Sequence, residues 1–358
     1  MDDIPFTEKE ETVKKCVKLF SELALQEDEL LSDNLLNIYF ILQSVYYNFI
    51  ENLQDYKLSR KIEPKTSLTI QEKLDLIDAF YEDYGFPYTV DEAISDGSLD
   101  INVGDYNNEP TQYSDDTLGT TRVRGEHCFC DCEDHQTLYD TTVWIHELAH
   151  YRNLNENEPV TNLLTESMSF TMSLLYSDYL DSLGFEEAKD FLIIQYIDIF
   201  SVIDEYMAFI LLATLYNEVG VLDEDGLELV FGNGENYKTY IEYAFETLCN
   251  RDIEEYLANA LYAIRYALAQ MISIYNFEKV QEDPDFIDNL IEYNDRLFEP
   301  TSLKEALEAI QLPIINSVAF FEKTNEYLEK HTERLKSIIE SMKKGPKGAN
   351  FWYNNIWW

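Results

Sequence analysis

The stretch Val143-Trp144-Ile145-His146-Glu147-Leu148-Ala149-His150 decides how this chain is read. Two histidines four residues apart lie one turn apart on the same face of a helix, so both imidazoles can reach one Zn2+. Glu147, next to the first histidine, is placed to serve as general base on a zinc-activated water. With five histidines in 358 residues, such a motif arises by chance on the order of 0.01 times in a chain of this composition. The apolar, helix-compatible run Leu138–Ile145 leads into it, which is the context the chemistry requires.

Two histidines do not complete a zinc site, because a catalytic zinc takes three protein ligands and keeps one position for water. The candidate third ligand is Glu166, in Leu163-Leu164-Thr165-Glu166-Ser167-Met168-Ser169-Phe170. It follows a polar turn running from Asn153 to Pro159, which lets a second helix return beside the first. Its apolar flanks would make an unpaired carboxylate costly. Glu156 and Glu158 are rivals, but their place in the polar turn suits solvation better.

Outward from the motif, the chain is strongly acidic. It carries 69 Asp and Glu against 26 Lys and Arg, for a net charge of −43. That balance excludes nucleic-acid binding, which needs cations to replace the phosphate counterions, and docking on anionic lipid. Acidic walls would favour cationic peptides, or serve only solubility. A hydrophobic share of 46% is ample for a core, and excludes general disorder. Only 12 Gly and 9 Pro interrupt the chain, which favours long helices over a many-turned β fold. The start of the sequence has no apolar leader, and the most apolar run, near Met207–Leu215, is too short to span a bilayer. Five cysteines, three of them within Cys128–Cys132, fit a cytoplasmic protein with reduced thiols.

The periodicity predicts helices over Glu8–Gln26, Leu30–Leu58, Ile70–Tyr84, Glu158–Leu183, Glu186–Val219, Tyr237–Leu248, Ile253–Tyr275 and Ser302–Met342. Short β-prone pieces at Leu99–Val103 and Thr120–Val123, between glycines and prolines, predict a small sheet before the motif helix. Asp223–Asn236, with three glycines, reads as a loop. The fold class is therefore mainly α with a small sheet. The chain divides into an N-terminal helical region (1–84), a catalytic region (85–300) and a C-terminal helix with an aromatic tail (301–358). That tail holds Trp352, Trp357 and Trp358, and so much aromatic surface predicts docking on the helical body.

Two further patterns stand out. Tyr262, Arg265 and Tyr266 fall at i, i+3 and i+4, hence on one face of a helix whose other positions are apolar and read as buried. A buried Arg between phenols needs an acceptor: a substrate carboxylate, a developing oxyanion, or an internal acid. In His127-Cys128-Phe129-Cys130-Asp131-Cys132 a strand would place three thiols on one face. They read either as reduced cysteines packed inward or as a redox- or metal-responsive element whose thiolate is a good zinc ligand.

The ordered segments HELAHYRN, TESMSF and LYAIRYALAQMI resemble the signatures of the thimet oligopeptidase and oligoendopeptidase F family. The resemblance implies a helical zincin-type peptidase fold and a zinc-dependent metallopeptidase acting on peptides. It implies His146, His150 and Glu166 as zinc ligands and Glu147 as base. It implies Tyr262 and Tyr266 as phenols that stabilise the tetrahedral intermediate, with Arg265 as a substrate-binding group. It also suggests an edge over Arg122–Cys130 for pairing with extended substrate. The chain departs from the family pattern at Ile264, where a motif tyrosine often stands, and in having only His331 after His150. Its spacing of His and Glu is also shorter. Two alternatives stand beside this reading. One is a small phage-type regulatory zinc peptidase, which shares HELAH and a later Glu. The other is a catalytically inactive, acidic helical binding or scaffold protein.

Overall fold

The computed structural model describes residues 4–27, 39, 43, 66–87, 89–105, 119–124, 127–151, 162–204, 206–232, 237–249, 252–298, 303–315 and 317–344. In chain order its elements are α1 (Phe6–Glu27), α2 (Ile70–Asp83), α3 (Val90–Asp96), β1 (Leu99–Asp105), β2 (Gly119–Arg124), β3 (His127–Asp134), α4 (Asp140–His150) and α5 (Asn162–Ser182). There follow α6 (Ala188–Asp204), α7 (Met207–Val219), α8 (Glu224–Phe231), α9 (Tyr237–Cys249), α10 (Ile253–Glu282), a short 3-10 turn (Pro284–Phe286), α11 (Ile287–Phe298), α12 (Leu303–Ala309) and α13 (Val318–Lys344). The chain is mainly α-helical, with a small sheet immediately before the HExxH helix, as the sequence pattern predicts. No described helix is long and apolar enough to cross a membrane.

The chain forms two compact units. The first comprises Met1–Tyr47, Asp198–Leu268 and Ile315–Phe321. Its core builds on α1, whose Val13, Val17 and Phe20 recur at helical spacing and are fully buried. Phe20 meets Phe209 of α7 edge-on at 5.3 Å, and Phe209 meets Tyr256 of α10 at 5.5 Å. Such edge-to-face pairs add a small directional preference to the burial of large rings.

The second unit comprises Asn48–Ile197, Ala269–Ile314 and Glu322–Trp358, and contains the HExxH helix. Its sheet has the order β1-β3-β2, with β3 parallel to β1 and antiparallel to β2. Alternation along β3 buries Cys128, Cys130 and Cys132 on one face, as strand geometry requires. This strand is central, so the edge expected over Arg122–Cys130 is confined to β2: Leu99 of β1 pairs with Cys128 on one side and Thr121 of β2 with Cys130 on the other.

The turn from β3 into α4 fixes the start of the motif helix. Thr137 and Asp140 form a reciprocal cap: Asp140 accepts from the Thr137 N–H at 2.9 Å, and Thr137 Oγ1 accepts from the Asp140 N–H at 3.4 Å. This satisfies donors that a helix start otherwise leaves unpaired. Lys73 of α2, fully buried, bridges Asp134 and Asp140. Its ammonium also lies over the Trp144 ring at 4.9 Å, and the indole N–H donates to the Glu133 carbonyl at 2.8 Å. Strand, cap and helix are thus tied through one buried cation.

Three expectations need correction. Asp223–Asn236 is not wholly loop, because Glu224–Phe231 is the helix α8. Asp223 caps it by accepting from the Gly226 N–H, Leu227 is buried, and Gly232 ends it with φ +68°. A Cβ at Gly226 would come 3.1 Å from Asp223 Oδ1 and 3.2 Å from Leu215 Cδ1, so this glycine serves close approach rather than a turn. The helix expected over Ser302–Met342 is interrupted between Ala309 and Val318. Gln311 has φ +58° there, and Pro313 lacks the N–H that a continuous helix needs. The helix expected over Glu186–Val219 is likewise two, Ala188–Asp204 and Met207–Val219. The expected helix Leu30–Leu58 and the aromatic tail lie outside the described residues.

Candidate metal centre

α4 and α5 form the site. On α4 the rings of His146 and His150 stand one turn apart, 5.2 Å between centroids. From α5, Glu166 projects between them, with Oε2 3.2 Å from His146 Nε2 and Oε1 3.6 Å from His150 Nε2. Ligand atoms of the three residues all lie within 4.8 Å of one another, and among the described residues this is the one such group of three His, Cys, Asp or Glu.

Supporting contacts set the ligand orientations. Phe170, one helical turn beyond Glu166, meets the His146 ring edge-on at 4.7 Å. Ser169 Oγ lies 3.2 Å from His150 Nδ1 and 3.3 Å from Nε2, and donates to the Thr165 carbonyl at 3.3 Å. The Ser169 hydroxyl thus gives the His150 ring a polar neighbour on α5.

The donor set fits zinc. Donors bonded to a single tetrahedral zinc at about 2.0–2.1 Å stand about 3.3 Å apart; Glu166 approaches the two imidazoles through different oxygens, at 3.2 and 3.6 Å, and one ligand atom from each of the three residues lies within 4.8 Å of the others. Its carboxylate needs a cation. Burial acts to raise the Glu166 pKa, but the nitrogens and charge of His146 and His150 outweigh burial and hold it well below the usual carboxylate range. Oε2 is buried and, despite its proximity to His146, receives no aligned hydrogen bond. A partly buried carboxylate facing two imidazoles, with no Lys or Arg bonded to it among the described residues, is the arrangement that a divalent cation completes.

Glu147 is buried, at 8% exposure. Its carboxylate Oε2 accepts a hydrogen bond from Thr121 Oγ1 of β2 at 2.8 Å, and its backbone carbonyl lies 2.9 Å from the same hydroxyl. The structure therefore brings together His146, His150 and Glu166, with Glu147 beside them. The rival acids Glu156 and Glu158 lie outside the described residues. Thr121 has no signature in the sequence: an edge-strand threonine is ordinary until the fold sets it against the motif helix. The Thr137/Asp140 cap, by contrast, follows a visible Thr-x-x-Asp spacing.

The other predicted residues sit in the first unit, on the first half of α10. Tyr262 and Tyr266 share one face and stack with centroids 4.0 Å apart. That face is not buried as expected: Tyr262 is 49% exposed, and Arg265 and Tyr266 are half-buried. The apolar positions Leu257, Leu261, Ile264 and Leu268 fill the buried side.

The three thiols pack inward. Cys130 Sγ lies 3.3 Å from Cys132 Sγ. Burial, with Cys130 and Glu147 nearby, pushes Cys128 up to about 12. The Cys132 contact and burial push Cys130 well above its ordinary range too. Both are neutral thiols near pH 7, which fits packing and not a thiolate poised to take a metal.

No family model matches the chain, and no curated protein matches it. Two solved structures are similar in backbone. One is a candidate oligoendopeptidase F from Bacillus anthracis strain Ames, with 13% identity and a TM-score of 0.46 over 92% of this chain and 57% of that one. The other is PZ peptidase A with an inhibitor, with 14% identity and a TM-score of 0.46 over 90% of this chain and 58% of that one. The chain thus spans less than three-fifths of the length of either protein.

Proposed function

We propose that this chain is a zinc-dependent metallopeptidase that hydrolyses peptide bonds of oligopeptides or unfolded segments. The observation that carries the reading is the convergence of His146, His150 and Glu166 to within 4.8 Å, with Glu147 on the same helix as the two histidines. His146, His150 and Glu166 hold the ion. When bound, zinc lowers the pKa of a water toward about 7 and polarises a carbonyl. Glu147 takes a proton from the attacking water and delivers it to the leaving amine nitrogen. Residues that hold both a metal and a base are more than a binding or scaffold protein needs.

The sequence resemblance supplies the remaining roles in this proposal: Tyr266 and Tyr262 as phenol donors to the developing oxyanion, and Arg265 as a binder of substrate carboxylate. The net charge of −43 supports a preference for cationic peptides. The test is cleavage of a mixed library of quenched fluorescent peptides by zinc-loaded protein, chelated protein and Glu147→Gln. Cleavage by the zinc-loaded wild type alone supports the reading. Peptide binding without cleavage in all three would favour the idle binding protein.

A further inference from the structure

We infer that Thr121 is a positioning residue for Glu147, holding the carboxylate by one oxygen and leaving the other to exchange the proton. The inference rests on the peptidase reading. Thr121 lies on β2, directly opposite Cys130 of the central strand. Its Oγ1 is 2.8 Å from Glu147 Oε2, 2.9 Å from the Glu147 carbonyl and 3.9 Å from Cys130 Sγ. The hydroxyl has one proton and three neighbours. Of these the carboxylate is the strongest acceptor, because a hydrogen bond to an ionised oxygen is roughly twice as strong as a neutral one.

Three consequences follow from that geometry. A glutamate side chain has several rotatable bonds, and a base that wanders by about 1 Å loses a large share of its rate. Tying Oε2 to a strand fixes those torsions. The tie also chooses between the two oxygens, so Oε1 is the one left to face the reacting water. Finally, the anchor is itself held: Thr121 sits in a register where β2 is bonded to the central strand, and buried Cys130 lies behind its hydroxyl. A threonine on a loop would not confer the same rigidity.

The experiment compares Thr121→Val, which keeps shape and removes the hydroxyl, with Thr121→Ser, which keeps the hydroxyl. All are zinc-loaded full-length chains, alone and in a Glu147→Gln background. The expected result for Thr121→Val is a fall in kcat of about 10–100-fold with KM within about twofold. Zinc stoichiometry should stay at the wild-type value. Thr121→Ser should recover most of the loss. In the Glu147→Gln background, Thr121→Val should add little, since the two act as a unit. A kcat within twofold of wild type for Thr121→Val overturns the inference, as does equal loss in the Val and Ser variants, which would make the methyl contact responsible. A second readout avoids turnover altogether: a double-mutant cycle of Thr121→Val and Glu147→Ala in denaturant unfolding. Coupling of about tenfold in the unfolding constant supports the bond, and coupling below twofold overturns it. If wild-type protein binds zinc but cleaves no peptide, the peptidase reading has failed instead, and the cycle still decides whether the bond exists.

Discussion

The second unit contains two glutamates that each face histidine, Glu278 fully buried and Glu166 partly buried, and they are completed differently. Glu278 of α10, fully buried, accepts from His331 Nδ1 at 2.9 Å and from Arg334 Nε and Nη2 at 2.7 and 2.9 Å, with Lys330 Nζ at 3.7 Å. Both of its oxygens are bonded, and a permanent guanidinium balances its charge. Among the described residues Glu166 is paired with the two imidazoles alone, and one of its oxygens is buried without a hydrogen bond. The first arrangement is an internal ion pair joining α10 to α13, in which the carboxylate is fully bonded while His331 Nε2 is buried without a hydrogen bond. In the second, no Lys or Arg among the described residues is bonded to the carboxylate. A buried acid beside histidine is therefore not in itself evidence of a metal; what matters is whether the protein has already supplied the positive charge.

Four predictions probe that contrast. The largest effect should come from the base: Glu147→Gln should lower turnover by about 10²–10⁴-fold while zinc stays bound. The matching Glu278→Gln should leave the rate constants of the folded enzyme within about threefold, because Glu278 holds helices together and touches no reacting group. Equal losses in the two variants, measured at a temperature where both are folded, would erase the distinction.

Metal removal comes next. A ligand bound only by the native state stabilises it by about 4 kcal/mol at a thousandfold excess over Kd. Wild-type Tm should fall on chelation and recover with zinc. Glu166→Ala should be insensitive to both. Glu278→Ala should be destabilised by about 3–5 kcal/mol, because it leaves Arg334 and His331 unpaired, yet it should still gain stability from zinc. A Glu278→Ala protein that no longer responds to zinc would contradict the separation of the two clusters.

The third prediction is acid sensitivity. Burial acts to raise the Glu278 pKa, but His331 and Arg334 outweigh it and bring the group down to about 2 from 4.5. A carboxylate with a depressed folded pKa contributes stability that is complete above the unfolded value. That share, about 3 kcal/mol, should disappear as pH falls from about 4.5 to about 2. Denaturant unfolding of the wild type and Glu278→Gln across that range should show a steeper loss in the wild type. Parallel curves would mean that the pair contributes nothing.

The smallest effect concerns the tyrosine helix. Tyr266→Phe should lower kcat by about 10–100-fold with KM nearly unchanged, the signature of a donor that acts on the developing oxyanion. A change in Tm alone would make the 4.0 Å stack with Tyr262 its whole role.

Much of this was legible in the residues. The HExxH spacing, the helical stripe of α1 and the β-prone pieces at Leu99 and Thr120 each follow from local periodicity, and each appears where expected. Glu166 was legible because an acid flanked in sequence by Leu163, Leu164 and Phe170 has to be paired. The misses share a physical origin. The helix α8 was hidden by three glycines, one of which provides close approach and another a cap. The pause between α12 and α13 was masked by an apolar pattern that runs on through Pro313. The exposure of Tyr262 could not be read from a helix that looks apolar nearly all round. Thr121, Lys73 and the Glu278–Arg334 pair are contacts between residues 26 to 67 positions apart, and no local pattern encodes which partner arrives.

The most direct test of the account is metal analysis of purified wild type, Glu147→Gln and Glu166→Ala after exposure to excess zinc and gel filtration. The account predicts one zinc per chain in the first two and substantially less in the third. No zinc in the wild type, or full zinc in Glu166→Ala, would contradict it.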